Sequence, residues 1–220
     1  LLPSVYRNQV IHCDAGPNIV RSYPVKKNGA GYDAKIVDVA KGIDNWFRPA
    51  DVCVAPDGSL FVTDWYDPGV GGHNMQDLQR GRLFRIAPPG TKYEVPQFDF
   101  STVEGSIEAL KNPNSSVRYL AWTALHKFAI DAENALSKVF DDSGENPRIR
   151  ARALWLLGKT DGIGPKYVEK ALSDGDADIR IVGIRLAKQL GLDISNVVSQ
   201  LVDDKDIRVL RECAIALRGC

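Results

Sequence analysis

Four times in its second half the chain places a β-branched residue before an arginine: Val117-Arg118, Ile149-Arg150, Ile179-Arg180 and Ile207-Arg208, at spacings of 32, 30 and 28 residues. Each pair opens an apolar face with helical periodicity. Val117, Leu120, Ala121, Ala124, Leu125 and Phe128 fall at offsets of three and four, and Ile179, Val182, Gly183, Leu186, Ala187 and Leu190 repeat them. A shorter amphipathic stretch precedes each face, at 107–110, 132–140, 167–172 and 194–202. A two-helix unit of this kind cannot bury its apolar face alone and must stack on its neighbours, so residues 103–220 are predicted to form an α-solenoid of four helical pairs. Asn114, Asn146, Asp176 and Asp204 stand at the helix starts, where their side chains can cap free N–H groups. The arginines are expected to reach carboxylates in the turn of a neighbouring repeat as exposed pairs, worth only ~0–1 kcal/mol. Ala121, Ala153, Gly183 and Ala214 are the small residues expected to let adjacent helices approach.

The first half has a different period. From Asp51 to Asp64 apolar residues alternate on either side of Pro56-Asp57-Gly58, which predicts two antiparallel strands joined by a tight turn. Residues 82–86 continue the alternation. Earlier strands are expected at 8–13, 19–25 and 34–39, with Gly29-Ala30-Gly31 allowing positive φ between them. Residues 1–90 then hold six or seven short strands, roughly two blades of a β-propeller at about four strands per blade. They are too few to close one. The predicted fold class is α+β: a partial propeller-like antiparallel sheet over 1–90, a linker over 91–102 that contains prolines and aromatics, and the all-α solenoid over 103–220.

Composition narrows the function classes. Lys plus Arg and Asp plus Glu both number 28, so no global charge bias points to nucleic acid. No apolar run approaches the ~20 residues of a membrane-spanning helix. The four cysteines show neither C-x-x-C nor C-x-x-C-H spacing. Cys53 on a strand and Cys213 on a helix are expected to be buried thiols, with a Cys13–Cys53 disulfide as the alternative in an oxidising compartment. The opening Leu-Leu-Pro-Ser-Val-Tyr-Arg has no basic or apolar leader region and no initiating Met, and the last helical face runs up to Arg218-Gly219-Cys220. Both ends suggest a piece of a longer protein.

The stretch richest in chemistry is the loop from Asp67 to Arg80. His73 follows Gly69-Val70-Gly71-Gly72 and is flanked by Asp64, Asp67, Asp77, Arg80 and Arg82. Arg48, Asp64, His73, Arg80 and Arg82 are therefore the candidate polar cluster. His73 reads either as a ligand, base or substrate contact or as a hydrogen-bonding residue that stabilises the loop. No second histidine lies nearby to suggest a metal site. Pro49 holds Arg48 extended, where its side chain can stack on Trp46 or Phe47. Trp65 is expected to fill the sheet and Asp64 to be polar near its axis. Trp46, Trp122 and Trp155 read as core residues, while His12 and His126 read as structural. No dinucleotide, phosphate-loop or nucleophile-elbow motif appears.

Phe47-Arg48-Pro49, Asp51-Val52, Pro56-Asp57-Gly58, Asp64-Trp65-Tyr66, Gly72-His73 and Gly81-Arg82 together resemble the membrane-bound or periplasmic dehydrogenase-like propellers abundant in planctomycetes. The likeness covers about residues 1–130 at the level of motifs. The Asp/Asn-x-x-(Val/Ile)-Arg signature of the second half resembles HEAT repeats. The resemblance implies a parent protein in which a propeller similar to quinoprotein sugar dehydrogenases precedes HEAT repeats and a c-type haem domain. It implies a quinone-dependent oxidation of sugars or alcohols, with pyrroloquinoline quinone and calcium as cofactors of that parent. Arg48 would contact the carboxylates of the quinone. A periplasmic or extracellular location follows from the same likeness. A complete active site is not expected within these 220 residues, because the blades that carry most cofactor ligands in that family precede this stretch. The alternative is a non-enzymatic HEAT module that binds a protein or a polysaccharide. Expected partners are a protein on the HEAT surface and, for the sheet, the missing blades or a second copy of the chain; neither a nucleic acid nor a membrane span is expected.

Overall fold

The structure is a computed structural model that describes residues 1–67 and 79–218. Antiparallel sheets form the N-terminal part and helices follow, so the chain is mixed α+β. It divides into two compact units, one of residues 1–28, 32–97 and 112–115, the other of 29–31, 98–111 and 116 onward.

The first unit contains β1 (Val10–Asp14), β2 (Ile19–Tyr23), β5 (Val37–Lys41), β6 (Pro49–Val54), β7 (Leu60–Asp64) and β8 (Arg82–Ile86), with β3 (Val25–Asn28) and β4 (Gly31–Ala34) forming a hairpin. The strand orders are β1-β2-β5 and β6-β7-β8, all antiparallel. Eight strands are present among the described residues, against the six or seven expected. The difference arises at Pro24, which has no N–H to give a ladder and splits the expected 19–25 strand in two. Its carbonyl instead accepts from Lys35 N–H at 3.0 Å, and Gly29 turns the new hairpin with φ of +52°. In the second sheet Val52 faces Val62 and Leu60 faces Ile86. Val52, Val62 and Ile86 join Val20 and Phe47 in a small core, with Ile11, Cys13, Val39 and Ala40 packed around it.

Cys53 is not buried as expected. It faces Phe61 on the outer side of β6 and is exposed, because the core face belongs to Val52 and Val54 on either side of it. Cys13, Cys53 and Cys213 all carry free thiols. Burial, followed by the nearby Asp51 charge, pushes the Cys13 thiol up to about 11, which makes it a poor nucleophile at neutral pH.

The second unit contains α1 (Val103–Leu110), α2 (Ser115–Phe128), α3 (Glu133–Asp141), α4 (Pro147–Gly158), α5 (Gly164–Leu172), α6 (Ala177–Gln189), α7 (Ile194–Ser199) and α8 (Ile207–Ala216). α3 packs on α4 and α5 on α6, while α4, α6 and α8 contact one another in succession. One continuous core runs through them, from Ala109 and Leu125 to Val209 and Ala216. Gly183 is needed for close approach, since a Cβ there would come within 2.9 Å of the Ala171 Cβ. Two expected face positions are wrong. Leu120 is 51% exposed, and Ala214 points outward while Cys213 and Ala216 fill the core.

The turns between helices differ from expectation in an informative way. Asn146 and Asp176 cap α4 and α6 as expected, but α8 is capped by Asp206, not Asp204. Asp204 instead accepts from Asp206 N–H at 2.8 Å and takes both prongs of Arg180 at 2.7 and 2.9 Å. Asp174 does the same for Asp176 N–H and for Arg150, whose Nε also donates to the Phe140 carbonyl at 2.7 Å. These pairs are not the exposed ones expected. The Arg150 and Asp174 side chains are 6% and 14% exposed, and those of Arg180 and Asp204 are 15% and 6% exposed. Losing one partner of such a pair strands the other.

The hydrogen bonds from Arg180 hold the Asp204 carboxyl below the usual carboxylate range, against an opposing effect of burial. A folded-state value below the unfolded one contributes stability above the ordinary carboxylate value of about 3.9, and that contribution is lost as pH falls through the lower folded value. Asp204→Asn is expected to be less stable than the parent at pH 7, with the gap shrinking from about pH 4 downward. Urea titrations at several pH values measure this; a gap that does not change with pH would contradict it.

Candidate functional site

Three of the five candidate polar residues meet at one end of the β6-β7-β8 sheet. β7 ends at Asp64, whose cross-strand neighbour is Arg82, the first residue of β8. Arg82 Nε lies 2.5 Å from Asp64 Oδ2. The other oxygen, Oδ1, accepts from the main-chain N–H of Arg48 at 2.6 Å and of Tyr66 at 3.0 Å. The Asp64 side chain has no exposure at all, so its carboxylate is saturated by two N–H groups and a guanidinium.

Arg48 enters the sheet where the register shifts between Pro49 and Asp51. This irregularity and the Pro49 ring turn its side chain inward, and the residue is 8% exposed. Its guanidinium is turned from solvent toward main-chain carbonyls. Nε donates to the Asp67 carbonyl at 2.8 Å, and Nη1 donates to the carbonyls of Ala15 and Gly16 at 2.8 and 3.0 Å. Arg48 thus ties the β1-β2 turn to the chain that leaves β7.

Aromatic rings close over this arrangement. Tyr66 adopts a positive φ of 54°, unusual for a side chain of its size. Its ring stacks on Trp46 at 5.1 Å and lies 4.2 Å from the Arg82 guanidinium. Phe84 carries the other side of Arg82 and meets Phe47 edge-on at 5.7 Å. A mostly apolar cleft of about 400 Å³ lies beside it, lined by Gly42, Ile43, Phe47, Arg82 and Phe84. Trp65 is not a sheet filler: it is 58% exposed, because Asp64 holds the inward position at the end of β7 and its neighbour must face out. Trp46, expected in the core, is 37% exposed. Trp122 and Trp155 pack partly buried against the helical core, and His126 stacks on Trp122.

Arg80 stands exposed just ahead of β8. His73 lies outside the described residues, as do Asp77 and most of the 67–80 loop. A second clasp escaped the sequence reading. Asp57, read only as a turn residue, accepts from Ser59 N–H, Ser59 Oγ and Arg85 Nη2 at 2.9, 2.6 and 2.7 Å. Burial pushes its carboxyl upward, but the Ser59 hydrogen bonds and then Arg85 outweigh this and hold it below the usual range. Arg85 also donates to the Thr91 carbonyl at 3.0 Å and lies over Tyr93. The Asp-x-Ser spacing after Pro56 signals such an Asx-type turn; nothing in the sequence singles out Arg85 as its partner.

The described residues do not fit the two cofactors that the resemblance implies. A quinone carboxylate at Arg48 would have to displace three main-chain carbonyls from Nε and Nη1. Calcium needs several oxygen ligands facing one point, yet both Asp64 oxygens already accept from N–H donors. No group of three or more His, Cys, Asp or Glu side chains converges among the described residues.

The profile of one family, described as a domain of unknown function (DUF7133), matches residues 1–88. The match ends just past β8 and so takes in all eight described strands and the Arg48–Asp64–Arg82 cluster. No curated protein matches the chain.

Proposed function

We propose that this chain is a framework and interaction segment of a larger propeller–HEAT protein of the quinone-dependent sugar or alcohol dehydrogenase type, located in the periplasm or outside the cell. In this reading residues 1–90 are about two blades of the propeller, and the helices are a HEAT-type solenoid that leads to a c-type haem domain. The single observation that carries the framework role is that the Arg48–Asp64–Arg82 cluster spends its polar groups on its own main chain and on each other. Groups bonded in this way hold a turn and two strands in register; they do not present a reactive face. Two small antiparallel sheets that share a core support the blade reading. The buried Arg–Asp pairs at the turns before α6 and α8 support the HEAT reading.

The test is cofactor binding by the longer protein that contains this chain. Calorimetric titration with pyrroloquinoline quinone and calcium is expected to show saturable binding that survives Arg82→Lys. Absence of binding would remove the dehydrogenase assignment. A second reading, a module that binds a partner protein without catalysis, is favoured by the apolar residues the helices leave exposed, among them Tyr119 at 69%, Leu120 at 51% and Ile130 at 53%. A longer protein that binds no quinone, but loses capture of a purified partner on Leu120→Asp, would select it.

A further inference from the structure

α4 carries Arg148 and Arg152 one turn apart, so both side chains rise from the same helix face. Neither makes an ion pair among the described residues, whereas Arg150, Arg180, Arg185 and Arg208 of the same unit each hold a carboxylate. Arg152 is half-buried, and its Nη1 donates to the Leu110 carbonyl, the last of α1, at 2.7 Å. Burial, then the Arg118 and Arg148 charges, push the Arg152 guanidinium down to about 10. Arg118, at the start of α2, is therefore within electrostatic reach, and burial lowers its own value. Glu145, the nearest carboxylate in the chain, is turned away: it accepts from Asn146 N–H at 2.8 Å and pairs with Lys111 at 3.2 Å.

Like charges at this spacing repel. Arg148 also lies in the first turn of α4, where the helix dipole disfavours a cation and favours an anion. An oxyanion among these guanidinia would relieve both effects, and the flat fork of arginine matches two oxygens of such a group.

We propose that Arg148 and Arg152 form a receptor for an oxyanion: a sulfate, phosphate or carboxylate group. The site belongs to the helical unit and is independent of the propeller reading. The group is either a free ion or a substituent on an acidic polysaccharide, and the chemistry of recognition is the same.

Calorimetric titration of the chain with inorganic sulfate and, separately, with a sulfated oligosaccharide tests the proposal, both at constant ionic strength. Arg148 is exposed, so Arg148→Gln should leave the circular dichroism unchanged and the thermal midpoint no lower than that of the parent. Saturable binding in at least one arm is expected, weakened about tenfold by Arg148→Gln, the equivalent of one charge-assisted hydrogen bond. Binding of sulfate and oligosaccharide with equal affinity identifies a free-ion site. Binding of the oligosaccharide alone, or much more tightly, identifies a polymer-borne group. No saturable binding in either arm, or equal binding by the parent and Arg148→Gln, overturns the proposal.

Discussion

Asp64→Ala is expected to destabilise the first unit by about 3 kcal/mol, the lower part of the range for breaking a buried ion pair. The lower part applies because Arg82 is 35% exposed and can recover some hydration. Two main-chain N–H groups, those of Arg48 and Tyr66, lose their acceptor at the same time, and a buried donor left unsatisfied costs ~1–3 kcal/mol. Asp64→Asn restores an acceptor oxygen but not the charge, so it should fall between the alanine variant and the parent. Arg82→Ala, which leaves the carboxylate its two N–H donors, should cost less than Asp64→Ala. The loss should appear as a lower urea midpoint with the slope unchanged. Equal stability of parent and Asp64→Ala would mean that the cluster holds nothing together.

Leu156→Ala is expected to cost ~2–5 kcal/mol in the helical unit. Leu156 is 1% exposed, on the core-facing side of α4. The core around it runs through several helices, so the neighbours cannot collapse into the space without disturbing contacts on both sides. Lys127→Ala, on an exposed position of α2, should change stability by no more than about 0.5 kcal/mol. Denaturant titrations of the two variants beside the parent provide the comparison. Losses of similar size would contradict the assignment of faces on which the helical packing rests.

The elements most legible in the sequence are those set by periodicity. Val52, Val54, Leu60 and Val62 alternate strictly, and they line one side of β6 and β7. The spacing from Ile149 to Ile179 to Ile207 marks the starts of α4, α6 and α8. What escaped depends on three-dimensional burial. The Arg150–Asp174 and Arg180–Asp204 pairs join residues in different helical pairs, and sequence spacing alone does not show that the turns stack closely enough to exclude water. Pro24 divides the stretch over 19–25 expected as one strand, since it has no N–H to give the ladder. Trp65 shows the commonest error: aromatic residues are usually interior, but the alternation that buries Asp64 forces Trp65 out. Arg48 was legible as an oriented arginine. That its partners are carbonyls from a turn more than 30 residues earlier was not.

The most direct test of the framework role is thermal unfolding of the chain and of Arg48→Ala, each with and without pyrroloquinoline quinone and calcium. Losing the three carbonyl contacts of a buried guanidinium should lower the midpoint by several degrees, consistent with a cost of about 2–3 kcal/mol. The cofactors should leave both midpoints where they were. A midpoint that rises with the quinone in the parent but not in Arg48→Ala would contradict this, because it would make the Arg48 fork a ligand site and not a clasp.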